Sequence, residues 1–330
     1  MLKKTLACIL TSVMLLACAG ETSSAAESVV TILGGSSGGL WAIIAEGVGE
    51  AMRRSFPRYR VTTEPGKDGP NQVLVGRGDV EFCLASDVLT LKALKGDAPF
   101  DVRNRKSEKL RLVAVVNPTA AVQIYMDART GLTSLKELGE RKYPLRINVN
   151  RSGTVNDLVS RRVLEAYGVS YEDIEAWGGV VHKGPAPEAV DLWDAGQMDA
   201  IVEASQFPLS RFYDLGMKHD LVMLPIDADK AEEINRDMGT FSMIIPAGTY
   251  SFQKEDCPTV STRLLLVTSA DQPDRIVTDM LTAMLENVEY LRSVPANLRG
   301  LSAESMAGYA GIPMHPAAER FFRRHAISKN

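Results

Sequence analysis

The chain has 330 residues, with 37 Lys or Arg and 41 Asp or Glu, so its formal net charge is −4. This charge excludes strong binding to a nucleic-acid backbone, which needs clustered positive side chains. Hydrophobic residues at 45% and charged residues at 24% are ordinary globular usage, which excludes disordered, collagen-like and polytopic membrane chains. The length suggests about two domains.

The N-terminus predicts an export signal. A basic start precedes an apolar run over 6–16 that is too short to span a bilayer as a stable helix. The run ends in a lipobox-like sequence, which predicts a signal peptide over 1–17 and a lipid on Cys18. Ordinary cleavage after Ala26 is the alternative. Residues 18–27 are small and polar and predict a flexible tether.

Besides Cys18, the exported chain keeps two cysteines, Cys83 and Cys257. An oxidising compartment would allow them to pair. Alternatively, Cys83 lies in an apolar run and serves as a small buried hydrophobic residue. The sequence has no CxxC pair and no Cys/His spacing typical of a metal site, so neither a metal nor a cofactor is expected.

Strand and helix patterns alternate along the chain, which predicts an α/β fold. Strands are predicted at 28–33, 59–64, 80–85, 110–116, 122–126, 145–149, 198–202, 221–225 and 261–268. Helices are predicted at 40–55, 70–76, 86–94, 135–138, 152–167, 187–195, 208–216, 228–236, 273–287, 303–309 and 316–325.

Three strand-to-helix connections are small and polar: 34–39, 85–87 and 150–154. In open α/β sheets such connections lie at the carboxyl edge of the strands, where ligands bind. Helix N-termini offer free N–H groups and a positive dipole end, and glycine permits close approach of the backbone. Together they predict a cleft for a small anion.

Five segments resemble the TAXI family, the solute-binding subunits of TRAP-type (tripartite, ATP-independent) transporters. They are GGSSGG at 34–39, ASDV at 85–88, RSGT at 151–154, IPAGTY at 245–250 and GIPMHPAAERF at 311–321. Each is weak alone, but five in order after an export signal are specific. The resemblance covers nearly all of the chain after the signal.

The resemblance implies a two-lobed periplasmic binding protein fold, type II-like, with a ligand cleft between hinged lobes. Lobe one would comprise 28–117 and 245–330, and lobe two 118–244. The implied function is capture of a small organic anion, such as a glutamate-like amino acid or a 2-oxo or dicarboxylic acid, and its delivery to a TRAP membrane permease. The protein is expected to act as a monomer in the periplasm or on the outer face of the cytoplasmic membrane.

Residues of the three connections and their neighbours are the candidate ligand contacts: Gly35, Ser36, Ser37, Gly38, Gly39, Trp41, Ser86, Asp87, Arg151, Ser152, Gly153, Thr154, Glu203 and Ser205. Several have a second interpretation: Ser86, Ser152 and Thr154 suit helix caps, and Trp41 suits core packing.

Arg151 and Glu203 depart from the family pattern and support a sharper hypothesis. The planar guanidinium of Arg151 would bind a ligand carboxylate, and Glu203 would bind a ligand amine or hold Arg151 in place. Two solvated side chains at the mouth of a loop are the alternative.

No nucleophile elbow or triad spacing is present, so no catalytic residue is expected and the protein is not expected to be an enzyme. His315, which lies between Met314 and Pro316, is expected to belong to a structural turn. A lipoprotein that binds a ligand and signals to a membrane partner is the alternative to a transport receptor.

Overall fold

The computed structural model describes residues 28–101, 107–294 and 298–325. The predicted signal peptide, the tether and Cys18 lie outside the described residues. All ten strands of the described chain belong to one mixed sheet, and helices pack against it.

The first half of the sheet is parallel. Its strands are β1 (Ser28–Leu33), β2 (Tyr59–Glu64) and β3 (Phe82–Ser86), which alternate with α1 (Leu40–Ser55), α2 (Asp68–Arg77) and α3 (Asp87–Lys95). Strand β1 lies between β2 and β3 and pairs in parallel with both. All five residues of β3 are buried, as expected for a parallel strand that is covered on both faces.

Two long antiparallel strands run through both halves of the molecule. They are β4 (Leu110–Asp127) and β10 (Cys257–Ser269). Their register shifts between Thr262 and Leu264, opposite Asn117 to Ala120 of β4. Pro118 lies in this irregular stretch, where its missing N–H removes no regular ladder bond. Two further shifts, between Leu264 and Leu265 and between Leu266 and Val267, continue the irregular pairing of the two strands.

The second half of the sheet contains five short strands: β5 (Arg146–Asn148), β6 (Val180–His182), β7 (Ala200–Ser205), β8 (Leu221–Met223) and β9 (Phe241–Ile245). Its helices are α4 (Leu135–Arg141), α5 (Val155–Ala166), α6 (Tyr171–Ala176), α7 (Ala186–Asp194), α8 (Ser210–Lys218) and α9 (Ala228–Met238). The strand order is β2-β1-β3-β10-β4-β7-β5-β6, with β8 beside β4 and β9 beside β10.

The C-terminal helices return to the first half. They are α10 (Asp274–Glu286), α11 (Val288–Ser293), α12 (Ala303–Ala307) and α13 (Pro316–Arg324). Helix α10 packs against α1 and α13, and a bridge between Leu112 and Met314 fixes the preceding turn to β4. The N-terminal and C-terminal parts of the described chain therefore pack together.

The predicted α/β class and two-lobed architecture are confirmed, and the predicted strands and helices need two corrections. The strands expected at 110–116 and 122–126 are one strand, β4, because the chain stays extended through Pro118. Strands β6 and β9 and helices α6 and α11 were not predicted. Cys83 and Cys257 are both buried free thiols.

Candidate functional site

A cleft between the two halves is the candidate site. Its cavity volume is about 70 Å³, and part of the cleft is open to solvent. Eight predicted ligand residues line it: Gly35, Ser36, Gly39, Trp41, Arg151, Thr154, Glu203 and Ser205. Of the three predicted connections, 34–39 and 150–154 line the cleft, whereas 85–87 does not.

The glycine-rich loop between β1 and α1 forms one wall. The Gly39 N–H donates to the Ser36 carbonyl at 2.9 Å, which closes a tight turn whose tip, Gly38, has φ +70°. A Cβ on Gly35 would lie 2.8 Å from Cβ of Trp41. Glycine is therefore needed where the loop passes Trp41. Helix α1 begins at Leu40 with no side-chain cap, which leaves its first N–H groups for water or a ligand.

The start of α5 forms the facing wall. Asn150 has φ +66°, and its Oδ1 accepts a hydrogen bond from the Arg151 N–H at 2.8 Å. The Thr154 hydroxyl donates to the Arg151 carbonyl at 2.8 Å and accepts from the Asp157 N–H at 3.4 Å. Thr154 therefore caps the helix, as its second interpretation predicted, while it also lines the cleft.

Arg151 reaches from the second lobe to the first. Its Nη2 donates to the carbonyl of Gly66, which follows β2, at 2.6 Å. Its Nε is buried without a hydrogen-bond partner. A second bond, from the Gly69 N–H to the Gly153 carbonyl at 3.2 Å, also joins the lobes. Arg151 thus retains one unused donor in a cleft whose walls are in contact.

Glu203 lies on β7 and is only 9% exposed. Burial raises the pKa of its carboxyl to about 7, although nearby Arg211 and a hydrogen bond with Asn156 act in the opposite direction. Its Oε2 is buried without a hydrogen-bond partner. Glu203 and Arg151 are not hydrogen-bonded to each other, and Arg151 donates to the Gly66 carbonyl instead.

A buried polar network fixes the end of β7. Gln123 Nε2 donates to the carbonyl and hydroxyl oxygens of Ser205 at 3.2 and 3.1 Å. The hydroxyls of Tyr125 and Tyr250 donate to Gln123 Oε1 at 2.7 and 2.6 Å. Ser205 is therefore held in place in the cleft wall, two residues from Glu203.

Asp68, which the sequence analysis did not single out, also lines the cleft and is 2% exposed. Its Oδ1 accepts from Gln72 Nε2 at 2.7 Å and from the Ser86 N–H at 3.1 Å. Burial raises the pKa of this carboxyl to about 7. Lys67, Asn156 and Arg211 were missed in the same way. For Lys67 and Asp68 the signal was present, because 65–67 is a fourth small connection between a strand and a helix.

Ser86 and Asp87, which were predicted to contact the ligand, do not line the cleft. Both are fully buried. Ser86 Oγ accepts from the Leu89 N–H at 3.2 Å and caps α3. The Asp87 carboxylate accepts from Arg263 through its backbone N–H at 3.0 Å and its Nη1 at 2.9 Å. These internal partners use the polar groups that a ligand would need.

Four further predicted residues lie beside the cleft rather than in its wall. Ser37, Gly38 and Ser152 are exposed at loop tips. Gly153 lines a neighbouring apolar groove with Phe100 and Leu74. Cys18, the predicted lipid site, lies outside the described residues.

The described residues contain no group of three or more His, Cys, Asp or Glu side chains that could hold a metal ion. His315 is buried, and its Nδ1 accepts from the Ala317 N–H at 3.1 Å at the start of α13. Within the described part of the chain, no helix has the length and apolar character needed to cross a membrane.

Comparisons with known proteins agree with this architecture. A sequence profile of the NMT1-like family matches residues 32–325. The structure of MatC (Rpa3494) from Rhodopseudomonas palustris with bound malate is 14% identical, with 82% of this chain and 88% of that chain covered and a TM-score of 0.54. A structure described as a periplasmic transporter is 17% identical, with 92% and 95% covered and a TM-score of 0.53.

The periplasmic binding protein BugD is 14% identical, with 92% of this chain and 99% of that chain covered and a TM-score of 0.52. At these identities the likeness shows the fold alone, which is that of two-lobed periplasmic binding proteins.

Proposed function

The chain belongs to the NMT1-like family, and we propose that it is an extracytoplasmic solute receptor that captures a small organic anion. The observation that carries this proposal is the convergence of anion-binding groups in one interlobe cleft. The N-termini of α1 and α5 and the unpartnered Nε of Arg151 all belong to its walls. An exposed helix end is worth only about 0.3–1 kcal/mol to a charge, so several such groups must act together.

Charge in the cleft also favours an anionic ligand. Lys67, Arg151 and Arg211 line it, against two acidic residues, Asp68 and Glu203. With both carboxyls ionised, the lining carries one excess positive charge, and protonation of either carboxyl increases that excess. Leu40, Trp41 and Pro187 provide apolar surface for a carbon skeleton.

Binding is proposed to proceed by hinge closure, with the hinge in β4 and β10 where their register shifts. We place residues 28–117, the part of β10 that follows the register shift at Thr262, and the C-terminal helices in lobe one. The residues between these two segments form lobe two. The boundary expected at 245 moves into β10, because β9 pairs with residues 257–261 of that strand. A ligand that contacts both lobes in the cleft binds the closed form more tightly and therefore shifts the equilibrium toward it.

The finer assignments rest on the resemblance and on the export signal. We propose that the receptor is a TAXI-type subunit, that it works as a monomer in the periplasm, and that it delivers its solute to a TRAP permease. A lipid on Cys18 would hold it at the membrane. The solved periplasmic binding proteins that share its fold support the periplasmic location.

A calorimetric and thermal-shift screen of amino acids, hydroxy acids, 2-oxo acids and dicarboxylates tests the receptor function. A ligand at about 100 times its dissociation constant adds about 2.7 kcal/mol to the free energy of unfolding. Arg151→Ala is expected to weaken binding of the best acid by about 10-fold or more, because a charge-assisted donor is lost. Arg129→Ala is the control, since Arg129 is exposed and pairs with Asp127 away from the cleft.

Absence of binding across the whole screen would contradict the organic-anion function. An equal loss of affinity in both arginine variants would contradict the role of Arg151, because a general change of surface charge would then explain it.

A further inference from the structure

Asp68 combines three features that together call for a ligand. It lines the cleft, it is 2% exposed, and its Oδ2 has no hydrogen-bond partner. Gln72 Nε2 and the Ser86 N–H donate to the other oxygen, Oδ1. The Ser86 hydroxyl also hydrogen-bonds to this carboxyl, and Oδ2 still has no partner. A buried carboxylate oxygen without a donor is unfavourable. Oδ2 of Asp68 is therefore a hydrogen-bond acceptor in the cleft wall that no protein group uses.

Glu203 supplies the same feature from the second lobe. Its Oε2 is buried without a partner, and its residue also lines the cleft. The two lobes therefore each bring one unused acidic oxygen to a site whose basic residues, Lys67, Arg151 and Arg211, suit an anion. A ligand that carries acceptors alone leaves both acidic oxygens unpaired or has to compete with them for the same cations.

We propose that Asp68 is a specificity-determining residue that accepts a hydrogen bond from a hydroxyl or ammonium group of the bound organic acid, with Glu203 as its counterpart in the other lobe. This inference rests on the proposed receptor function and narrows its solute to hydroxy or amino acids. Simple dicarboxylates and 2-oxo acids lack the required donor and bind more weakly.

The surroundings of the two carboxyls determine what their protonation does. Asp68 is next to Lys67 and feels the charge of Asp87, while Glu203 is near Arg211 and Asn156. Burial gives both carboxyls a pKa of about 7 in the free protein. An ammonium group favours their ionised forms, so an amino acid releases protons as it binds near pH 7. A ligand that used them as hydrogen-bond donors would take protons up.

The test compares acids that differ at a single carbon. Succinate, malate and aspartate carry hydrogen, hydroxyl and ammonium at C2, and glutarate, 2-hydroxyglutarate and glutamate form the longer series, with 2-oxoglutarate as the acceptor-only analogue. Titration calorimetry of the wild-type protein gives each dissociation constant and, in buffers of different ionisation enthalpy, the protons exchanged. We expect the donor-bearing acid of the preferred length to bind about 10-fold to 100-fold more tightly than its unsubstituted analogue.

Variants assign this preference to Asp68. Asp68→Asn keeps a neutral acceptor for the Ser86 N–H, and we expect it to lose most of the preference for ammonium while it retains part of that for hydroxyl. Glu203→Gln reports the counterpart in the second lobe. Asp127→Asn is the matched control, because Asp127 is 3% exposed and its oxygens are bonded to Arg129 outside the cleft.

The outcomes separate this inference from the function on which it rests. Unsubstituted and 2-oxo acids that bind as tightly as the donor-bearing acids would overturn the role of Asp68 and leave the receptor function intact. Proton uptake on binding of the preferred acid would overturn it too, as would an unchanged preference in a folded Asp68→Asn protein. Failure of every acid in both series would overturn the organic-anion function and this inference together.

Discussion

Two neighbouring turns in the first lobe look alike in sequence and differ in what they do. Both follow parallel strands of the same sheet, β1 and β3, and both open a helix with small polar residues. The turn at 34–39 forms a wall of the cleft, whereas Ser86 and Asp87 are buried and bonded internally. A strand-to-helix turn is therefore a possible site, and its neighbours decide whether it is used.

The neighbour that decides is β10. It lies antiparallel to β3 and brings Arg263 against Asp87. The Arg263 guanidinium also lies over the rings of Phe241 and Tyr309, at 4.3 and 4.5 Å from their centroids. Stacking and pairing together fix this cation. The glycine-rich loop has no such partner, and its helix starts without a side-chain cap.

The largest expected effect comes from breaking the internal pairing of the buried turn. Asp87→Asn leaves Arg263, whose side chain is 22% exposed, without its counter-charge. Loss of one partner of a buried pair costs about 3–5 kcal/mol of the free energy of unfolding, and we expect a value near the lower end. Urea unfolding measures it. The ligand affinity of the folded variant should not change. A weaker affinity with unchanged stability would instead show that Asp87 serves ligand binding and not the internal pairing.

The next largest expected effect is on the pH dependence of stability, and it comes from Asp68, which lines the cleft and bonds to the Ser86 N–H. Its pKa is about 7 in the folded protein against an ordinary value of 3.8, so the folded state binds more protons than the unfolded state between these values. Stability from this group is therefore present at low pH and falls as the pH rises to about 7. From pH 5 to pH 8 the decline amounts to roughly 3 kcal/mol.

Asp68→Asn should remove that part of the decline, so the ligand-free variant gains stability relative to wild type as the pH rises. Urea unfolding at pH 5 and pH 8 checks the sign. Glu203→Gln should behave in the same way, because its carboxyl is also raised to about 7 by burial. Parallel pH profiles for wild type and both variants would show that these carboxyls titrate as exposed groups do.

Much of the fold followed from local pattern. Helix α1 and strands β1 and β2 have the predicted bounds, because periodicity and turn residues act over a few neighbours. The continuous β4 was missed because Pro118 is a local stop signal, whereas its tolerance depends on the register of β10 far along the chain. Short elements such as β6 depend on pairing rather than on their own sequence.

The candidate site was predictable to the extent that backbone turns define it. The glycine-rich loop, Arg151, Thr154 and Glu203 all line the cleft. The burial of Asp87 against Arg263 could not be predicted from the sequence, because Arg263 lies 176 positions away. Asp68 was missed although it follows a small connection, 65–67, because its burial and its unpaired oxygen are visible only in the folded structure.

The smallest effect tests the open turn directly. Gly35→Ala places a Cβ 2.8 Å from Cβ of Trp41, so the loop must shift away from α1 while the rest of the lobe is unchanged. We expect a loss of roughly 1–2 kcal/mol in stability and a drop in ligand affinity of about 10-fold, measured by calorimetry. Gly38→Ala is the matched control, because no atom lies within 4 Å of its Cβ and its φ of +70° strains the loop without changing the cleft wall. If Gly38→Ala weakens binding more than Gly35→Ala, the ligand contacts the exposed tip of the loop, and the wall at Gly35 and Trp41 is not the binding surface.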